Sequence, residues 1–283
     1  MVDKDAGWTS HDVVARLRRA FGTRRVGHAG TLDPDATGVL LVGVGKTTRL
    51  LRFLTPLEKT YSAEVVLGVA TTTLDDSGDV VGTWDMSSVT CEQVQYAARL
   101  FTGQIEQVPP MVSALKVGGR RLHTLARQGI EVDRVARQVT VQQFDVEPGD
   151  EPGVVRIEVT CSAGTYVRVL AADLGAALGG GAHLRKLRRT AIGSFTLAEA
   201  RPVTSIDASS VVSPRDALGH LEAVEVSAEI GDMVARGLPL DRVPLGVVGS
   251  GPWALLDHEE HLLAVYEGTE SDRIRPSVVL AAR

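Results

Sequence analysis

Residues 27–38 read Gly-His-Ala-Gly-Thr-Leu-Asp-Pro-Asp-Ala-Thr-Gly, a segment that we name the Asp33 loop. It has the period of neither a helix nor a strand, and an apolar run from Val39 to Val44 follows it. Its glycines permit positive φ angles or the close approach of a ligand, and Pro34 holds the preceding Asp33 in an extended conformation. The pattern is typical of a shaped functional loop on a rigid strand, with Asp33 as a candidate reactive group.

The simpler interpretation of this segment is a tight turn in which Asp33 and Asp35 cap backbone amides. The longer string Gly-His-x-Gly-Thr-Leu-Asp-Pro-x-Ala-x-Gly-Val-Leu, however, resembles the catalytic motif of the TruB family of tRNA pseudouridine synthases. These enzymes isomerise uridine to pseudouridine in the T loop. The resemblance implies that Asp33, and not Asp35, is the catalytic residue, and that His28 fills space or stacks on the RNA from which the base has left.

On the amino-terminal side of the loop, the string Lys-Asp-Ala-Gly-Trp-Thr-Ser at residues 4–10 is similar to the family's Lys-Pro-x-Gly-x-Thr-Ser, with Asp5 in place of proline. Ser10 is a good N-cap, and it predicts a helix from His11 to about Phe21 with apolar residues on one face.

On the carboxyl side, the apolar run 39–44 predicts a buried strand. The following Gly-Val-Gly-Lys-Thr-Thr at residues 43–48 looks like the end of a phosphate-binding P-loop, but the motif needs a glycine where Leu40 stands. We therefore interpret Thr47 as the cap of a helix that continues through Leu54.

Two further strings extend the resemblance. A strand is predicted from Lys59 to Gly68, and its Lys-x-Tyr start implies that Tyr61 stacks on the target base. The string Cys-x-x-Gly-Thr-Tyr-Val-Arg-x-Leu-x-x-Asp-Leu-Gly, which begins at residue 161, implies that Arg168 pairs with Asp33. By position in the family, Tyr166 and Leu187 line the base pocket.

Arg168 stands alone in an otherwise apolar helical pattern, so burial would require a carboxylate partner. From the residues alone that partner could be any nearby acid, and only the resemblance selects Asp33. An adjacent cation lowers the pKa of a carboxylate by roughly 1 to 3 units, so Arg168 is expected to keep Asp33 charged.

Composition limits the classes of protein that fit. The chain has 283 residues, of which 44% are apolar, enough for one large domain and a small one. It has no apolar run of about 18 residues and no signal peptide at its start, so we expect a soluble cytoplasmic protein that binds no membrane. Cys91 and Cys161 are isolated from each other and are expected to be buried thiols in a reducing compartment.

The net charge of −5 argues against RNA binding through bulk charge alone. Basic residues nevertheless cluster in three places beside irregular or glycine-rich stretches. Each cluster alone would be a solvated face, but three together favour an RNA groove. The candidate RNA contacts, in addition to His28, are Arg24, Arg25, Lys116, Arg120, Arg121, Arg127, Arg185 and Arg188.

Two polar segments invite a metal-binding interpretation. The acidic turn at residues 74–78 lacks further ligand spacing, and we interpret it as a turn. His258 and His261 fit the tip of a hairpin better than a zinc site, because no other ligands accompany them. A helix capped by Thr90 and Gln93, a pair of strands at 137–146 and 154–161, and the hairpin itself complete the predicted elements.

The resemblance runs from about Lys4 to Phe195 and more loosely to the end of the chain. It implies an α+β fold, with a bent, mostly antiparallel central sheet flanked by helices and a small PUA-like β domain. We expect a catalytic domain at 1–222, with a basic mobile insertion at about 108–136, and an RNA-binding domain at 223–283.

The expected activity is that of a standalone tRNA pseudouridine-55 synthase acting on the T arm of tRNA. The reaction exchanges no electrons or phosphoryl groups, so we expect no cofactor and no metal. We also expect a monomer with no obligatory protein partner. The alternatives are a guide-RNA-dependent pseudouridine synthase, a non-catalytic RNA-binding or tRNA-folding factor, and a P-loop ATPase.

Overall fold

The structure is a computed structural model that describes residues 1–113, 115–126 and 128–280, without the side chains of Lys116, Arg121 and His123. Its strands are β1 Val2–Lys4, β2 Val26–Ala29, β3 Thr37–Val44, β4 Lys59–Leu67, β5 Val69–Thr71, β6 Val80–Thr83, β7 Gly103–Gln107, β8 Lys116–Val117, β9 Arg120–Arg121, β10 Arg137–Pro148, β11 Val154–Cys161, β12 Ala182–Ile192, β13 Phe195–Thr196, β14 Arg201–Pro202, β15 Glu222–Glu225, β16 Leu240–Asp241, β17 Trp253–Leu256, β18 Leu262–Gly268 and β19 Arg273–Val279.

The α-helices are α1 Ser10–Ala20, α2 Leu51–Leu54, α3 Cys91–Ala98, α4 Leu122–Ala126, α5 Val167–Ala177, α6 Pro214–Ala217 and α7 Ala228–Ala235. Short 3-10 helices occupy Gly45–Leu50, Arg99–Phe101, Val203–Ser205, Ala208–Ser210 and Val243–Leu245. None of the helices in the described chain is long and apolar enough to span a membrane.

A ten-stranded sheet forms the larger part of the fold, in the order β14-β1-β3-β12-β4-β11-β10-β7, with β13 paired to β12 and β2 to β3. Only β1–β14 and β12–β3 pair in parallel, and the other pairs are antiparallel. Helices α3 and α5 cover one face through an apolar core that includes Val65, Val94, Ile157 and Leu170. The predicted α+β fold is therefore confirmed.

A second sheet of five strands, β15-β17-β18-β19-β16, follows in the sequence. Its own core contains Trp253, Leu255 and Tyr266, and helix α7 packs on it. Its strands also share a second core with the larger sheet, in which Leu256 and Val265 cluster with residues such as Leu41. The two sheets are thus joined by continuous apolar packing.

Two predicted helix starts are wrong. Thr9, and not Ser10, caps α1: its hydroxyl accepts from the Asp12 amide at 3.1 Å, while the Asp12 carboxylate accepts from the Thr9 amide at 2.9 Å. Thr47 is likewise no cap, because the chain enters a 3-10 helix at Gly45 and the Thr47 hydroxyl donates back to the Val44 carbonyl at 2.8 Å. At α1 the adjacent hydroxyl residues Thr9 and Ser10 both suit the N-cap position, and local sequence does not rank them. At the second helix Val44 occupies the N-cap position and Thr47 lies inside the first turn.

Other predicted elements are confirmed. Strand β10 pairs with β11, the hairpin of β17 and β18 forms, and Thr90 and Gln93 cap α3 reciprocally. Of the two free cysteines, Cys161 is buried as expected, whereas Cys91 is only half-buried.

Candidate active site

The Asp33 loop spans the end of β2, the connection at residues 30–36 and the start of β3, and the two strands pair as an antiparallel hairpin. Its backbone is tied to the start of the chain. The buried Lys4 ammonium donates to the carbonyls of Pro34 at 2.9 Å and of Trp8 at 2.6 Å. The buried Ser10 hydroxyl accepts from the Leu32 amide at 2.9 Å, which explains why that serine is not the helix cap. Asp33 therefore projects from a loop that is fixed on both sides.

Gly38 shows why the loop requires glycine where it rejoins the sheet. Its φ is 105°, and a Cβ atom there would lie 2.1 Å from the carbonyl oxygen of Arg189 on the neighbouring strand β12. No other residue type fits both the backbone conformation and the contact.

Arg168 lies in the first turn of α5 and is 5% exposed. Its Nη2 is 3.0 Å from Asp33 Oδ2, so the ion pair implied by the family resemblance is confirmed. Its Nη1 lies 3.2 Å from Asp75 Oδ2. The same guanidinium donates to two backbone carbonyls, those of Thr73 and Val112, each at 2.8 Å. The arginine is held from four directions, which fixes the position at which it meets Asp33.

Burial raises the pKa of the Asp33 carboxyl above its ordinary value. Arg168 lowers that pKa, as expected, but the effect of burial is larger, and the charge of nearby Asp75 adds to the rise. Arg168 therefore favours the charged form, as expected, although it does not offset the whole effect of burial on the pKa of Asp33. The carboxyl combines a raised affinity for protons with a cation that favours its ionised form.

Asp75 was not among the predicted site residues. The acidic turn that carries it bonds to β12, where the Leu74 carbonyl accepts from the Leu184 amide at 3.0 Å. The Asp75 carboxylate also accepts from Thr73 Oγ1 at 2.6 Å and from Ser77 Oγ at 2.5 Å. The sequence showed only an acidic turn that lacked the spacing of a metal site. The structure shows that Arg168 is the cation that pairs with Asp75.

The predicted pocket residues lie on three different elements. Tyr61, on β4, and Leu187, on β12, are partly buried against the same apolar core. Burial raises the pKa of the Tyr61 hydroxyl, while a hydrogen bond with Arg189 acts in the opposite direction. Tyr166 is half-buried immediately before α5, and its amide donates to the Gln107 side chain at 3.0 Å. Whether these predicted pocket residues face one another is therefore set by how β4, β12 and the start of α5 pack.

Arg189 is a second buried arginine that the sequence did not identify, with 1% exposure. No acidic residue within the described ranges lies at ion-pair distance from it. Instead its Nε donates to the Val39 carbonyl at 2.7 Å and its Nη2 to the Gly30 carbonyl at 3.1 Å. Arg189 therefore connects Gly30 of the Asp33 loop with Val39, the residue that follows the loop on β3.

The predicted RNA contacts fall into two groups. Arg185 is engaged by the carboxylates of Glu64 and Glu151, each at 2.6 Å, and Arg188 by that of Asp3 at 2.7 Å. The others that the structure describes are exposed: Arg120 donates to Gln128 Oε1 at 2.5 Å, and Arg24 and Arg25 have no described acid within ion-pair distance. Arg127 and the side chains of Lys116 and Arg121 lie outside the described part of the structure.

His28 is half-buried on β2, and its ring meets that of His11 edge-on with centroids 5.9 Å apart. Burial lowers the pKa of His28, and the neighbouring His11 and Arg189 lower it further. Its Nδ1 is buried and has no hydrogen-bond partner within the described structure. Across the described ranges, no three His, Cys, Asp or Glu side chains group in a way that could hold a metal ion.

This arrangement has known counterparts. Residues 18–167 match the family model described as "TruB family pseudouridylate synthase (N terminal domain)", and residues 168–216 match that of the "tRNA pseudouridylate synthase B C-terminal domain". The chain belongs to the TruB family of pseudouridylate synthases. It is thus a member of a family of isomerases, and the ion pair of Asp33 with Arg168 joins the segments matched by the two family models.

Individual relatives agree with this membership. The protein called "tRNA pseudouridine synthase B" from Rhodococcus jostii is 46% identical over 94% of this chain and 88% of its own length. That of Thermobifida fusca is 44% identical over 99% and 97%, respectively. Among solved structures, a chain from the "Crystal Structure of a Cbf5-Nop10-Gar1 Complex" superposes with a TM-score of 0.74 at 28% identity, covering 100% of this chain and 84% of the other.

Proposed function

We propose that this TruB-family chain converts uridine 55 in the T arm of tRNA to pseudouridine, with Asp33 as its catalytic carboxylate. The observation that carries the proposal is the ion pair of Asp33 with the buried Arg168, on a loop fixed by Lys4 and Ser10. The names of the curated relatives, which are tRNA pseudouridine synthases B, support tRNA as the substrate.

The isomerisation breaks the bond between ribose C1′ and N1 of the uracil, rotates the base, and joins C5 to C1′. The proton on C5 leaves to solvent and N1 gains one, so no electrons are exchanged and no cofactor is required. Attack of a carboxylate on C1′ and removal of the 2′ proton both require an ionised Asp33. Arg168 favours that ionised form, against the burial that opposes it.

The base must leave its stack to reach Asp33, at a general cost of a few kcal/mol. Stacking on an aromatic ring returns about 1 to 3 kcal/mol for each base. We assign Tyr61 and Tyr166 as the stacking and bounding walls of the base pocket and Leu187 as its apolar side. His28 would stack on the RNA from which the base has left.

We assign the exposed Arg24, Arg25 and Arg120, rather than the internally paired Arg185 and Arg188, as the stronger candidates for phosphate contacts. The five-stranded sheet serves as a PUA-like RNA-binding domain, with a boundary near residue 222. The protein acts as a monomer without an obligatory protein partner. The similar Cbf5 chain was solved in a Cbf5-Nop10-Gar1 complex. The assay therefore uses this protein alone, to test whether it acts without a partner protein.

The test is tritium release from a tRNA transcript that carries uridine labelled at C5, with purified protein and no other component. Asp33→Ala should abolish release while tRNA binding remains. The matched control is Asp35→Ala in the same loop, because Asp35 is exposed and makes no described ion pair.

Release by Asp33→Ala would contradict the catalytic assignment. No release by the wild type, with tight tRNA binding intact, would favour a folding factor or a partner-dependent enzyme.

A further inference from the structure

Strand β12 departs from regular pairing with β4 in two places, between Arg185 and Arg188 and between Arg189 and Ala191. The first is a β-bulge that contains Leu187, a proposed wall of the base pocket. Arg185 pairs with Glu64 and Arg188 pairs with Ser62, so two residues of β12 lie opposite one residue of β4. The first of the two, Lys186, has a φ of 53°, which is the left-handed region that a lysine rarely adopts. The second is Leu187. A feature that maintains this bulge must stabilise an unfavourable backbone conformation.

Glu64 provides such a feature. Its Oε2 lies 2.6 Å from Arg185 Nε, and its Oε1 lies 2.9 Å from Lys186 Nζ. Adjacent residues of a regular strand point to opposite faces, so one carboxylate could not bind both. The left-handed turn at Lys186 brings the two cations to the same side, where Glu64 joins them.

The charge of Glu64 is consistent with this role. The side chain is 14% exposed, and burial alone would raise the pKa of its carboxyl. Hydrogen bonds from Lys186 and Arg185 outweigh that effect, so the pKa of Glu64 is lowered. The carboxylate and its two cations therefore stabilise one another across the bulge.

The bulge determines the geometry of the site. A shift of one residue in pairing moves every following side chain to the opposite face of a sheet. Beyond the bulge, Arg188 and Arg189 pair with Thr37 and Gly38, where the Asp33 loop ends. If the bulge were lost and β12 paired regularly with β4, Leu187 would point to the other face of the sheet. The residues of β12 that follow would then shift by one position relative to the Asp33 loop.

We infer that Glu64 is a positioning residue for isomerisation: by bridging Arg185 and Lys186 it holds the β12 bulge that presents Leu187 to the core against which Tyr61 also packs. The inference rests on the proposed function, because Leu187 and Tyr61 are proposed as walls of the base pocket. Glu64 acts only through β12, and we assign it no contact with the substrate.

The test is a double-mutant cycle on kcat, measured by tritium release with saturating tRNA. Glu64→Ala should lower kcat roughly tenfold with little change in KM, because the bulge then has no bridge to hold Lys186. Lys186→Gly supplies a residue that adopts the left-handed conformation without strain. In the Lys186→Gly background, Glu64→Ala should therefore cost much less than in the wild type.

Glu151→Gln is the matched control, since Glu151 binds the same arginine but not Lys186. It should retain the wild-type kcat. Glu64→Gln keeps the shape of the side chain without its charge, so it should lose less than the alanine variant and serves if that variant does not fold.

Equal costs of Glu64→Ala in the two backgrounds, or a wild-type kcat in Glu64→Ala, would overturn the inference. An inactive wild type would instead refute the proposed function. In that case amide hydrogen exchange in β12 still tests the bulge: Glu64→Ala should accelerate exchange at residues 185–189 and Glu151→Gln should not, and unchanged exchange would overturn the role of Glu64.

Discussion

The region built on the ten-stranded sheet and the region built on the five-stranded sheet bury different kinds of side chain. Among the described residues, every buried polar or charged side chain precedes residue 190, and the buried side chains of the five-stranded sheet are all apolar or aromatic. The two aromatic side chains with polar atoms are hydrogen-bonded there: the Tyr266 hydroxyl donates to the Leu238 carbonyl at 2.8 Å, and Trp253 Nε1 donates to Glu222 at 3.1 Å. The buried polar and charged residues of the first region are Lys4, Ser10, Lys59, Thr71, Gln107, Ser113, Arg168, His183 and Arg189.

Burying a charge costs free energy unless it is paired or hydrogen-bonded. Lys4, Lys59 and Arg189 meet this condition through backbone carbonyls, and Arg168 through carbonyls and two carboxylates. The region of the larger sheet thus retains groups that a fold selected only for stability would avoid, and three of them, Lys4, Arg168 and Arg189, contact the Asp33 loop. The comparison indicates that one region is arranged for chemistry and the other for packing.

The largest effect that this comparison predicts is a loss of activity on substitution of Arg168. Arg168→Lys keeps the charge, but an ammonium cannot bind Asp33, Asp75 and two carbonyls from the position of the guanidinium. We expect kcat, measured by tritium release with saturating tRNA, to fall roughly 100-fold or more, with tRNA binding retained.

The control for that change is Arg156→Lys, because Arg156 forms an exposed pair with Asp150 and should leave kcat unchanged. A kcat within a factor of about three of wild type in Arg168→Lys would contradict the claim that the contacts of the buried guanidinium serve catalysis.

The second prediction concerns the packing region. Leu255 is fully buried in the five-stranded sheet. Leu255→Ala should lower the free energy of unfolding by about 2 to 5 kcal/mol, measured by urea denaturation, because it removes apolar contacts and leaves a cavity. The kcat per folded molecule should be preserved.

The exposed Val248 provides the comparison, and Val248→Ala should change the free energy of unfolding by less than about 0.5 kcal/mol. A large loss of kcat in folded Leu255→Ala would show that the two regions are not separable in this way.

The third prediction uses the charge of Asp75, which raises the pKa of Asp33. Asp75→Asn removes that charge and should lower the pKa of Asp33. Since the reaction needs ionised Asp33, the acidic limb of the profile of kcat/KM against pH should move to lower pH. Asp76→Asn changes an exposed neighbour and should leave the limb in place, and a shift of the limb to higher pH in Asp75→Asn would contradict the electrostatic account.

The smallest effect concerns Lys59, whose ammonium donates to the carbonyls of Thr55 and Leu57. Burial lowers the pKa of Lys59 from 10.5 to about 8, with a further contribution from Arg189. Between these two values the unfolded chain binds more protons than the folded one, so the free energy of unfolding should rise with pH.

The buried Lys4 contributes in the same sense, because its pKa is also lowered to about 8. Denaturation of wild type and Lys59→Met from pH 8 to 10 should show a smaller rise in the variant, by on the order of 1 kcal/mol. An identical rise in both proteins would mean that burial does not lower the pKa of Lys59.

Local patterns in the sequence predicted several features of the fold and of the candidate site. The glycines and proline around Asp33 predicted a shaped loop, and the apolar run after it predicted β3. The lone Arg168 in an apolar helix predicted a buried ion pair, for which the family resemblance supplied the partner. Each of these signals lies within a few residues of the feature that it describes.

Only the tertiary structure identified Asp75, Arg189 and Glu64, and it alone showed that Ser10 anchors the Asp33 loop. Each acts through a partner distant in sequence: Asp75 through Arg168, Arg189 through Gly30, and Glu64 through Lys186. The physical reason is that local pattern encodes backbone preference and burial, whereas the partner of a buried polar group is set by the strands that pack beside it. The residues around Asp33 were enough to indicate a shaped loop with a candidate reactive carboxylate, whereas the packing of the sheet sets which charges lie beside that carboxylate.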